Sequence, residues 1–344
     1  MHTNVNVVIP VYNPDDKLIQ IAQMLNKQTV PVSKLILMVT CVSSNGELSY
    51  LPKTDRILTE VTRICAEGPS NLQLEIRKVA ASEFDHGNTR RQGSELASDD
   101  CEFILYMTQD AVPDNESLID ILLKPFSDEK VAACYGRQLA AESSSLAEKF
   151  TREFNYPDED RVKEASDIET IGIKAFFCSN VCAMYRLSVY RELGGFVKKT
   201  IFNEDMIFAN KILKSGYKIA YASKATVIHT HDYSGMQQYK RNFDLAVSQA
   251  LNPQAFEGIS SESEGVKYVI AAFKYFTRNG KPWLVIPFGI NCVYKLLGYK
   301  KGKKIASLTR EQVMRATSNP GFFSDLTIDE NIVKTVMNIN EIKY

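Results

Sequence analysis

The chain has 344 residues, enough for one large domain with an appendage or for two domains. Its composition is that of an ordinary globular protein, with 44% hydrophobic and 24% charged residues, and 41 Lys and Arg balance 41 Asp and Glu. This zero net charge gives no support to a nucleic-acid partner, so we expect none.

Strands and helices alternate in the first part of the chain. Short apolar or β-branched runs predict strands, and apolar residues three and four positions apart predict helices. Such alternation is typical of a mostly parallel, doubly wound sheet, in which ligands bind beyond the carboxyl ends of the strands. The predicted strands are 4–14, 34–40, 71–79, 102–108 and 131–136, and the predicted helices are 15–28, 88–98 and 115–126.

The second part begins with weaker signals. Residues 137–175 show few of them, and we expect an irregular, partly helical excursion there. Order is predicted again at 176–186, followed by helices at 187–196 and 203–217, a strand–turn–strand unit at 218–234 and a helix at 236–251. From 252 onward the pattern indicates helices without strands. We therefore predict an α/β domain at 1–251 and a helical C-terminal region at 252–344.

Residues 266–304 form a markedly basic segment. They contain nine Lys or Arg and no acidic residue, which leaves 32 basic and 41 acidic residues in the rest of the chain. Aromatic and aliphatic residues are interspersed, among them Trp283 close to Lys281. A helical pair packed on the core would explain this pattern, but the charge favours an interfacial segment on an anionic membrane surface.

Cysteines and apolar runs indicate the compartment. The seven cysteines are scattered without a CxxC pair, which indicates reduced, buried thiols rather than disulfides or a zinc site. The N-terminus leads directly into a predicted strand, so we expect no signal peptide. The longest apolar run, about 282–292, is too short to span a bilayer. We predict a cytoplasmic protein, peripheral on the inner face of the plasma membrane.

One acid follows an apolar strand directly. Asp110 comes after the strand predicted at 102–108. An acid before a proline turn is often only a turn residue, because its side chain bonds the local backbone. However, Asn13 and the segment 86–91 are predicted at the same edge of the sheet, where a ligand would bind.

Histidines are few, and three of the four lie beside these strand ends: His86, His229 and His231. His229 and His231 are two positions apart on a predicted strand and should face the same side. One or both could bind Mn²⁺ or Mg²⁺ together with Asp110, or could instead have a structural or phosphate-contacting role.

Charged residues open two predicted helices. Glu204 and Asp205 could stabilise the helix dipole, but a carboxylate at the rim of a pocket could also act as a general base. Arg90 and Arg91 are predicted near a helix start, where cations oppose the dipole, and this favours a phosphate or diphosphate ligand. Together these features indicate group transfer from a nucleotide-activated donor.

The order of the motifs resembles that of the family 2 glycosyltransferases of the GT-A fold. Within that family, the chain is similar to bacterial rhamnosyltransferases that build cell-wall, capsule and O-antigen polysaccharides. The resemblance covers about 4–250 and implies an α/β GT-A fold, a doubly wound mixed sheet with a C-terminal helical appendage. The motifs are VVIPVYN (7–13), FDHGNTRRQGSELA (84–97), YMTQDAVP (106–113), FFCSNVCAMYRLSVYRELGGF (176–196), FNEDMIFANKILKSGYKIAY (202–221) and VIHTHDYSGMQQYKRNFDLAV (227–247).

The resemblance implies a role for each matching residue. Asp110 corresponds to the metal-binding acid and Asp205 to the catalytic base of an inverting transfer. His229 would be a second metal ligand. The remaining candidates are Pro10, Tyr12, Asn13, Thr40, His86, Arg90, Gln109 and Asp110 for donor binding, Ser179, Asn180 and Glu204 for the acceptor or sugar pocket, and His231 and Arg241 as possible additional residues.

The implied donor is dTDP-β-L-rhamnose, the implied acceptor is a growing lipid-linked glycan, and the cofactor is Mg²⁺ or Mn²⁺. Two alternatives stay open: a UDP-sugar donor (galactofuranose, glucose or N-acetylhexosamine) on the same fold, and a catalytically silent scaffold of a polysaccharide assembly complex. A homodimer is possible in either case.

The chain departs from the family pattern at four positions. Thr40 and Asn45 stand where aspartates are usual, Gln109 leaves a single carboxylate for the metal, and Arg91 stands where asparagine is usual.

Overall fold

A mixed β-sheet runs through the computed structural model, which describes residues 3–44, 47–70, 72–256 and 263–341. Ten strands belong to it within these ranges: β1 (Val5–Val11), β2 (Lys34–Ser44), β3 (Glu47–Ser49), β4 (Gln73–Ala80), β5 (Phe103–Met107), β6 (Val112–Pro113), β7 (Val131–Leu139), β8 (Arg161–Lys163), β9 (Cys182–Arg186) and β10 (Lys218–Ile228).

Helices connect the strands and make up the C-terminal part. They are α1 (Lys17–Asn26), α2 (Pro52–Glu67), α3 (His86–Glu95), α4 (Leu118–Leu123), α5 (Leu146–Asn155), α6 (Asp167–Ile171), α7 (Leu187–Glu192), α8 (Glu204–Lys214), α9 (Gly235–Leu251), α10 (Pro253–Phe256), α11 (Ser263–Arg278), α12 (Val285–Gly302), α13 (Arg310–Ala316) and α14 (Ile332–Ile339).

The central strands lie in the order β4-β2-β1-β5-β9-β7-β10. The first four are parallel to one another, and β7 is parallel to β10. Strand β9 lies between β5 and β7 and is antiparallel to both, so β5 and β7 point in the same direction. The sheet is therefore mixed, and the carboxyl ends of β1, β5, β7 and β10 lie at one edge.

Side chains of the central strands alternate between two hydrophobic clusters. Val7, Leu35 and Leu105 belong to one cluster, and their neighbours Val8 and Ile36 belong to the other. Because both faces of the sheet are covered, these strands are apolar at nearly every position, as in other doubly wound proteins.

The strands predicted in the first part of the chain are confirmed as β1, β2, β4, β5 and β7. Helix α2 was not predicted, although Ile57, Leu58, Val61 and Ile64 bury one side of it at helical spacing. The strand–turn–strand prediction at 218–234 was wrong, since β10 is a single strand whose pairing with β7 shifts register between Ala222 and Thr226.

Helix α3 begins two residues earlier than predicted. The carboxylate of Asp85 accepts hydrogen bonds from the backbone N–H groups of Gly87 and Asn88, so it caps the helix. Arg90 and Arg91 consequently lie in the second turn and not at the helix start. The argument from an unfavourable helix dipole was therefore wrong for both.

The C-terminal part packs on α9. Phe243 and Val247 of α9 form a hydrophobic cluster with residues of the last helices, among them Val313 and Val336. Residues 253–256 and 263–341 contain no strand, and the domain boundary at 252 stays a prediction. Within the described ranges, no helix is both long and apolar enough to cross a membrane.

Two glycines let α12 approach α9 closely. A Cβ atom at Gly298 would lie 2.1 Å from the carbonyl oxygen of Tyr239, and one at Gly302 would lie 2.3 Å from that of Phe243. A Cβ at Gly289, earlier in the same helix, would meet nothing within 4 Å.

We expect Gly298→Ala to lower the free energy of unfolding by about 1–3 kcal/mol, because the added methyl group forces the two helices apart. Gly289→Ala is the matched control and should raise it by up to about 1 kcal/mol through helix propensity alone. Urea unfolding of both variants measures the difference. Equal effects of the two substitutions would contradict the close packing.

Candidate active site

A cleft of about 510 Å³ opens where β1, β5, β7 and β10 end and where α8 begins. The strand ends bring in polar groups from distant parts of the chain, and α8 adds two acids. Of the predicted residues, the cleft is lined by Pro10, Tyr12, His86, Arg90, Gln109, Asp110, Ser179, Asn180, Glu204, Asp205, His229, His231 and Arg241.

Asp110, His229 and His231 form a cluster of donor groups. One ligand atom from each lies within 4.8 Å of the other two. His229 Nε2 is 3.4 Å and His231 Nε2 is 3.3 Å from the Asp110 carboxylate, and the two Nε2 atoms are 2.7 Å apart. Two imidazoles and one carboxylate are a donor set that fits a divalent metal ion.

The orientation of His229 is fixed by Gln138, which bonds the ring nitrogen that does not face Asp110. His229 Nδ1 lies 2.8 Å from Gln138 Oε1, and Arg152 also hydrogen-bonds this oxygen. Because arginine can only donate, the oxygen accepts, and His229 carries its proton on Nδ1. Its Nε2 lone pair therefore faces Asp110, as a metal ligand requires.

Burial keeps this cluster in the protonation state that a metal needs. Burial lowers the pKa of His229, and burial together with the neighbouring His229 lowers the pKa of His231 to about 3. Burial raises the pKa of Asp110, but the positive charges that His229 and His231 carry when protonated lower it by more, so Asp110 loses its proton well below neutral pH. The imidazoles are consequently neutral and the carboxylate is ionised at neutral pH.

Asp205 lies in the first turn of α8. The preceding Asn203 adopts the left-handed conformation (φ 61°), which asparagine tolerates, and its amide donates to the carbonyl oxygen of Leu245. Asp205 accepts hydrogen bonds from the backbone N–H groups of Asn180, at 3.2 Å, and Met206, at 2.7 Å. Its carboxylate is thus held in place at the wall of the cleft.

Glu204, beside it, is buried and contacts two side chains through one oxygen atom. Its Oε1 atom lies 3.1 Å from Arg90 Nη1 and accepts a hydrogen bond of 3.1 Å from Asn180 Nδ2. Burial, followed by the charge of Glu204, raises the pKa of Asp205 to about 7. Of the two acids, Asp205 is therefore the one suited to accept a proton near neutral pH.

Gln109 connects two strand ends. Its side-chain oxygen accepts from the backbone N–H of Tyr12 and its amide donates to the Tyr12 carbonyl, both at 2.8 Å. This pair of bonds fixes the segment after β1, including the exposed Tyr12 ring. Both polar groups of Gln109 are thereby used within the protein.

Three residues considered for the site do not line the cleft. Asn13 is exposed just beyond Tyr12, with a positive φ of 43°. The hydroxyl group of Thr40 is buried. Arg91 donates to the carbonyl oxygen of Gly194, on a different surface. Asn45 lies outside the described residues.

Sequence reasoning missed several residues of the cleft. Gln138 follows the same rule as Asp110, since it lies near the carboxyl end of a parallel strand, and its position could have revealed it. Arg152 and Tyr156 come from the weakly patterned excursion, where no local signal points to a site. Tyr233 stacks on His231, and the Arg241 guanidinium lies 4.7 Å from the centre of the Tyr233 ring.

The chain belongs to the glycosyltransferase family 2. The family model "Glycosyltransferase like family 2" matches residues 2–249. The predicted membership is confirmed, and the chain is a glycosyltransferase.

Two relatives cover most of the chain. The O-antigen chain rhamnosyltransferase WbaN of Salmonella anatum is 38% identical over 265 residues, which are 76% of this chain and 81% of the relative. The O-antigen chain rhamnosyltransferase RfbN of Salmonella typhimurium is 32% identical over 308 residues, 88% of this chain and 91% of the relative.

The fold is similar to that of S. aureus TarS (residues 1–349, in complex with UDP-GlcNAc). The TM-score is 0.52 at 12% identity, over 80% of this chain and 72% of TarS. The likeness concerns the fold, and the predicted GT-A class, a mixed sheet with a helical C-terminal part, is confirmed.

Metal binding can be tested by thermal unfolding. We expect Mn²⁺ to stabilise the protein by about 2.7 kcal/mol at a concentration 100 times Kd. Asp110→Asn should abolish most of this effect, because it removes the only anionic ligand of the cluster. Asp114→Asn, which changes a carboxylate bonded to Thr226 instead, is the control. An equal Mn²⁺ effect on wild type and Asp110→Asn would contradict the site.

The raised pKa of Asp205 predicts a pH-dependent cost in stability. In the folded state the carboxyl group keeps its proton up to about pH 7, whereas its ordinary pKa is 3.8. The free energy of unfolding therefore falls as the pH rises between these values. Asp205→Asn removes this loss. The free energy of unfolding of the variant, minus that of wild type, should therefore increase by about 1–3 kcal/mol between pH 4 and pH 8.5.

Urea unfolding at the two pH values measures this change, and any pH-independent effect of the substitution cancels in the comparison. Asp99→Asn, at an exposed position, serves as the control. A constant difference between Asp205→Asn and wild type would refute the raised pKa.

Proposed function

We propose that the chain is an inverting rhamnosyltransferase, which transfers L-rhamnose from dTDP-β-L-rhamnose to a lipid-linked glycan during synthesis of a bacterial surface polysaccharide. Two relatives named O-antigen chain rhamnosyltransferases, at 38% and 32% identity, support rhamnose as the transferred sugar. The observation that carries the reaction is one cleft that contains both the Asp110–His229–His231 cluster and the carboxylate of Asp205.

Asp205 is the general base in this proposal. Its oxygen atoms are positioned by two backbone N–H groups, and its pKa of about 7 lets it take a proton from an acceptor hydroxyl group near neutral pH. Glu204 is engaged by Arg90 and Asn180 and leaves Asp205 as the base. Ser179 and Asn180 at the start of β9 are proposed to contact the sugar or the acceptor.

The transfer is a single displacement. The acceptor oxygen forms a bond to the anomeric carbon as the bond from that carbon to the diphosphate breaks, and the hydroxyl proton moves to Asp205. Because no covalent intermediate forms, the configuration at this carbon inverts.

The leaving diphosphate needs positive charge around it. Asp110 and His229, with His231 as a further ligand, would hold Mg²⁺ or Mn²⁺, which supplies that charge when bound. Arg90 and Arg241 line the same cleft and are proposed to contact the donor. Arg241 forms no ion pair with a described carboxylate, so its guanidinium group can bind a phosphate.

The remaining donor contacts come from the end of β1, the residue after it and the start of α3. We propose that Pro10, Tyr12 and His86 line the donor pocket. Gln109 acts by holding the Tyr12 backbone. A lipid-linked acceptor places the reaction at the cytoplasmic face of the plasma membrane.

A donor panel tests the proposal. Purified protein is given dTDP-rhamnose, UDP-glucose or UDP-galactofuranose with a lipid-linked glycan acceptor, and with Mn²⁺, Mg²⁺ or EDTA. We expect turnover of dTDP-rhamnose alone, a loss with EDTA, and a loss of at least about 100-fold in Asp205→Asn, which retains the fold but not the base.

Asp99→Asn is the control and should retain full activity. Turnover of a UDP-sugar in place of dTDP-rhamnose would overturn the substrate but keep the mechanism. The absence of turnover with every donor would favour the alternative of a catalytically silent scaffold.

A further inference from the structure

Helices α11 and α12 form a hairpin that packs on α5, and α12 also packs on α9. Ala272 and Phe276 of α11 and Phe288 of α12 are buried around Phe150 of α5. The ring centres of Phe276 and Phe288 lie 6.0 and 5.6 Å from that of Phe150. The sides of both helices that face neither α5 nor α9 consequently point away from the body of the protein.

Those outer sides are apolar. Exposed hydrophobic residues repeat every three or four positions, which is the spacing of one helix face. Trp283, in the connection between the helices, is 61% exposed. We call this surface the hairpin face: Val266, Ile270, Phe273, Trp283, Ile286, Ile290, Val293 and Leu297, each between 50% and 67% exposed.

Positive charge borders the hairpin face at both ends. Lys274, Arg278 and Lys281 lie near the connection, and Lys300 and Lys304 lie at the end of α12 and just beyond it. Residues 266–304 contain no acid, and none of these five cations forms an ion pair with a described carboxylate. A surface of this kind lacks the charge compensation found elsewhere on the chain.

We propose that the hairpin face docks into the interfacial region of an anionic lipid bilayer. Its aliphatic and aromatic side chains would enter the headgroup–acyl boundary, and the bordering cations would contact anionic headgroups. A second copy of the chain would bring the same positive charges together, so charge complementarity favours the lipid. The helices lie in the plane of the interface and do not cross it.

Docking would place the cleft next to the membrane. Helix α5 joins the two regions, because Thr151 bonds the hydroxyl group of Tyr268 in the hairpin, at 2.8 Å, while its neighbour Arg152 lines the cleft and bonds Gln138. This inference rests on the proposed function in one respect, the lipid-linked acceptor. Vesicle binding itself needs neither donor nor acceptor. A negative vesicle assay would therefore contradict the docking alone, and a negative donor panel would contradict the proposed function alone.

Trp283 is the only tryptophan of the chain and reports directly on docking. We expect its emission to shift to shorter wavelength with vesicles that contain phosphatidylglycerol, and brominated lipids should quench it. Pure phosphatidylcholine vesicles should have a much weaker effect. Unchanged emission at every lipid composition, together with protein that does not co-sediment, would overturn the proposal.

Paired variants separate the apolar and the electrostatic contributions. Ile290→Ser with Val293→Ser should weaken the vesicle partition coefficient at least roughly tenfold. The matched control, Val42→Ser with Val162→Ser, removes apolar side chains of similar exposure from other surfaces and should leave it unchanged. Lys274→Gln with Lys281→Gln should weaken it about 30-fold on anionic vesicles.

Light scattering of the protein without vesicles tests whether a second copy of the chain, instead of lipid, covers the hairpin face. A mass of two chains that Ile290→Ser with Val293→Ser reduces to one would assign the hairpin face to a second copy and overturn the proposal. A single-chain mass in both proteins, with vesicle binding lost only in the variant, would support it. Donor turnover by the variant on a water-soluble acceptor should stay at the wild-type level.

Discussion

The antiparallel strand β9 determines where the functional groups meet. It lies between β5 and β7 and so makes these two strands point the same way, which brings Asp110 and Gln138 to one edge of the sheet. Because β9 runs in the opposite direction, its start lies at this edge as well. Ser179 and Asn180 therefore enter the cleft from before a strand, whereas Asp110 and His229 follow strands.

Electrostatics within the cleft divides the acids into distinct roles. Glu204 is neutralised by the buried guanidinium group of Arg90, which lies 3.1 Å away. Asp110 faces two neutral imidazoles and stays ionised, while Asp205 is buried beside a like charge and has a raised pKa. The surroundings thus distinguish the ion-paired Glu204 from Asp110 and Asp205, the proposed metal ligand and the proposed proton acceptor. The raised pKa costs stability, as is common at active sites.

The C-terminal helices connect the cleft to the hairpin face. Close packing of α12 on α9, made possible by Gly298 and Gly302, holds one helix of the hairpin, and aromatic packing on α5 holds both helices. Rigid attachment matters for the proposed docking and the proposed lipid-linked acceptor, because a mobile hairpin would not hold the cleft at a defined distance from the bilayer. The hairpin is thus part of the folded body and not a flexible tail.

The sequence by itself determined the alternation of strands and helices, the order of the motifs and the family, because each depends on local periodicity or on residues close together in the chain. It also indicated Asp110, Asp205 and the histidines as a group, since strand ends and helix starts are local features. Only the tertiary structure decided that Gln138 and Arg152 orient His229, that Arg91 and Thr40 lie outside the cleft, and which side of the hairpin is left uncovered. These depend on strand direction, register and the path of the excursion at 137–175, which are fixed by contacts between residues far apart in the chain.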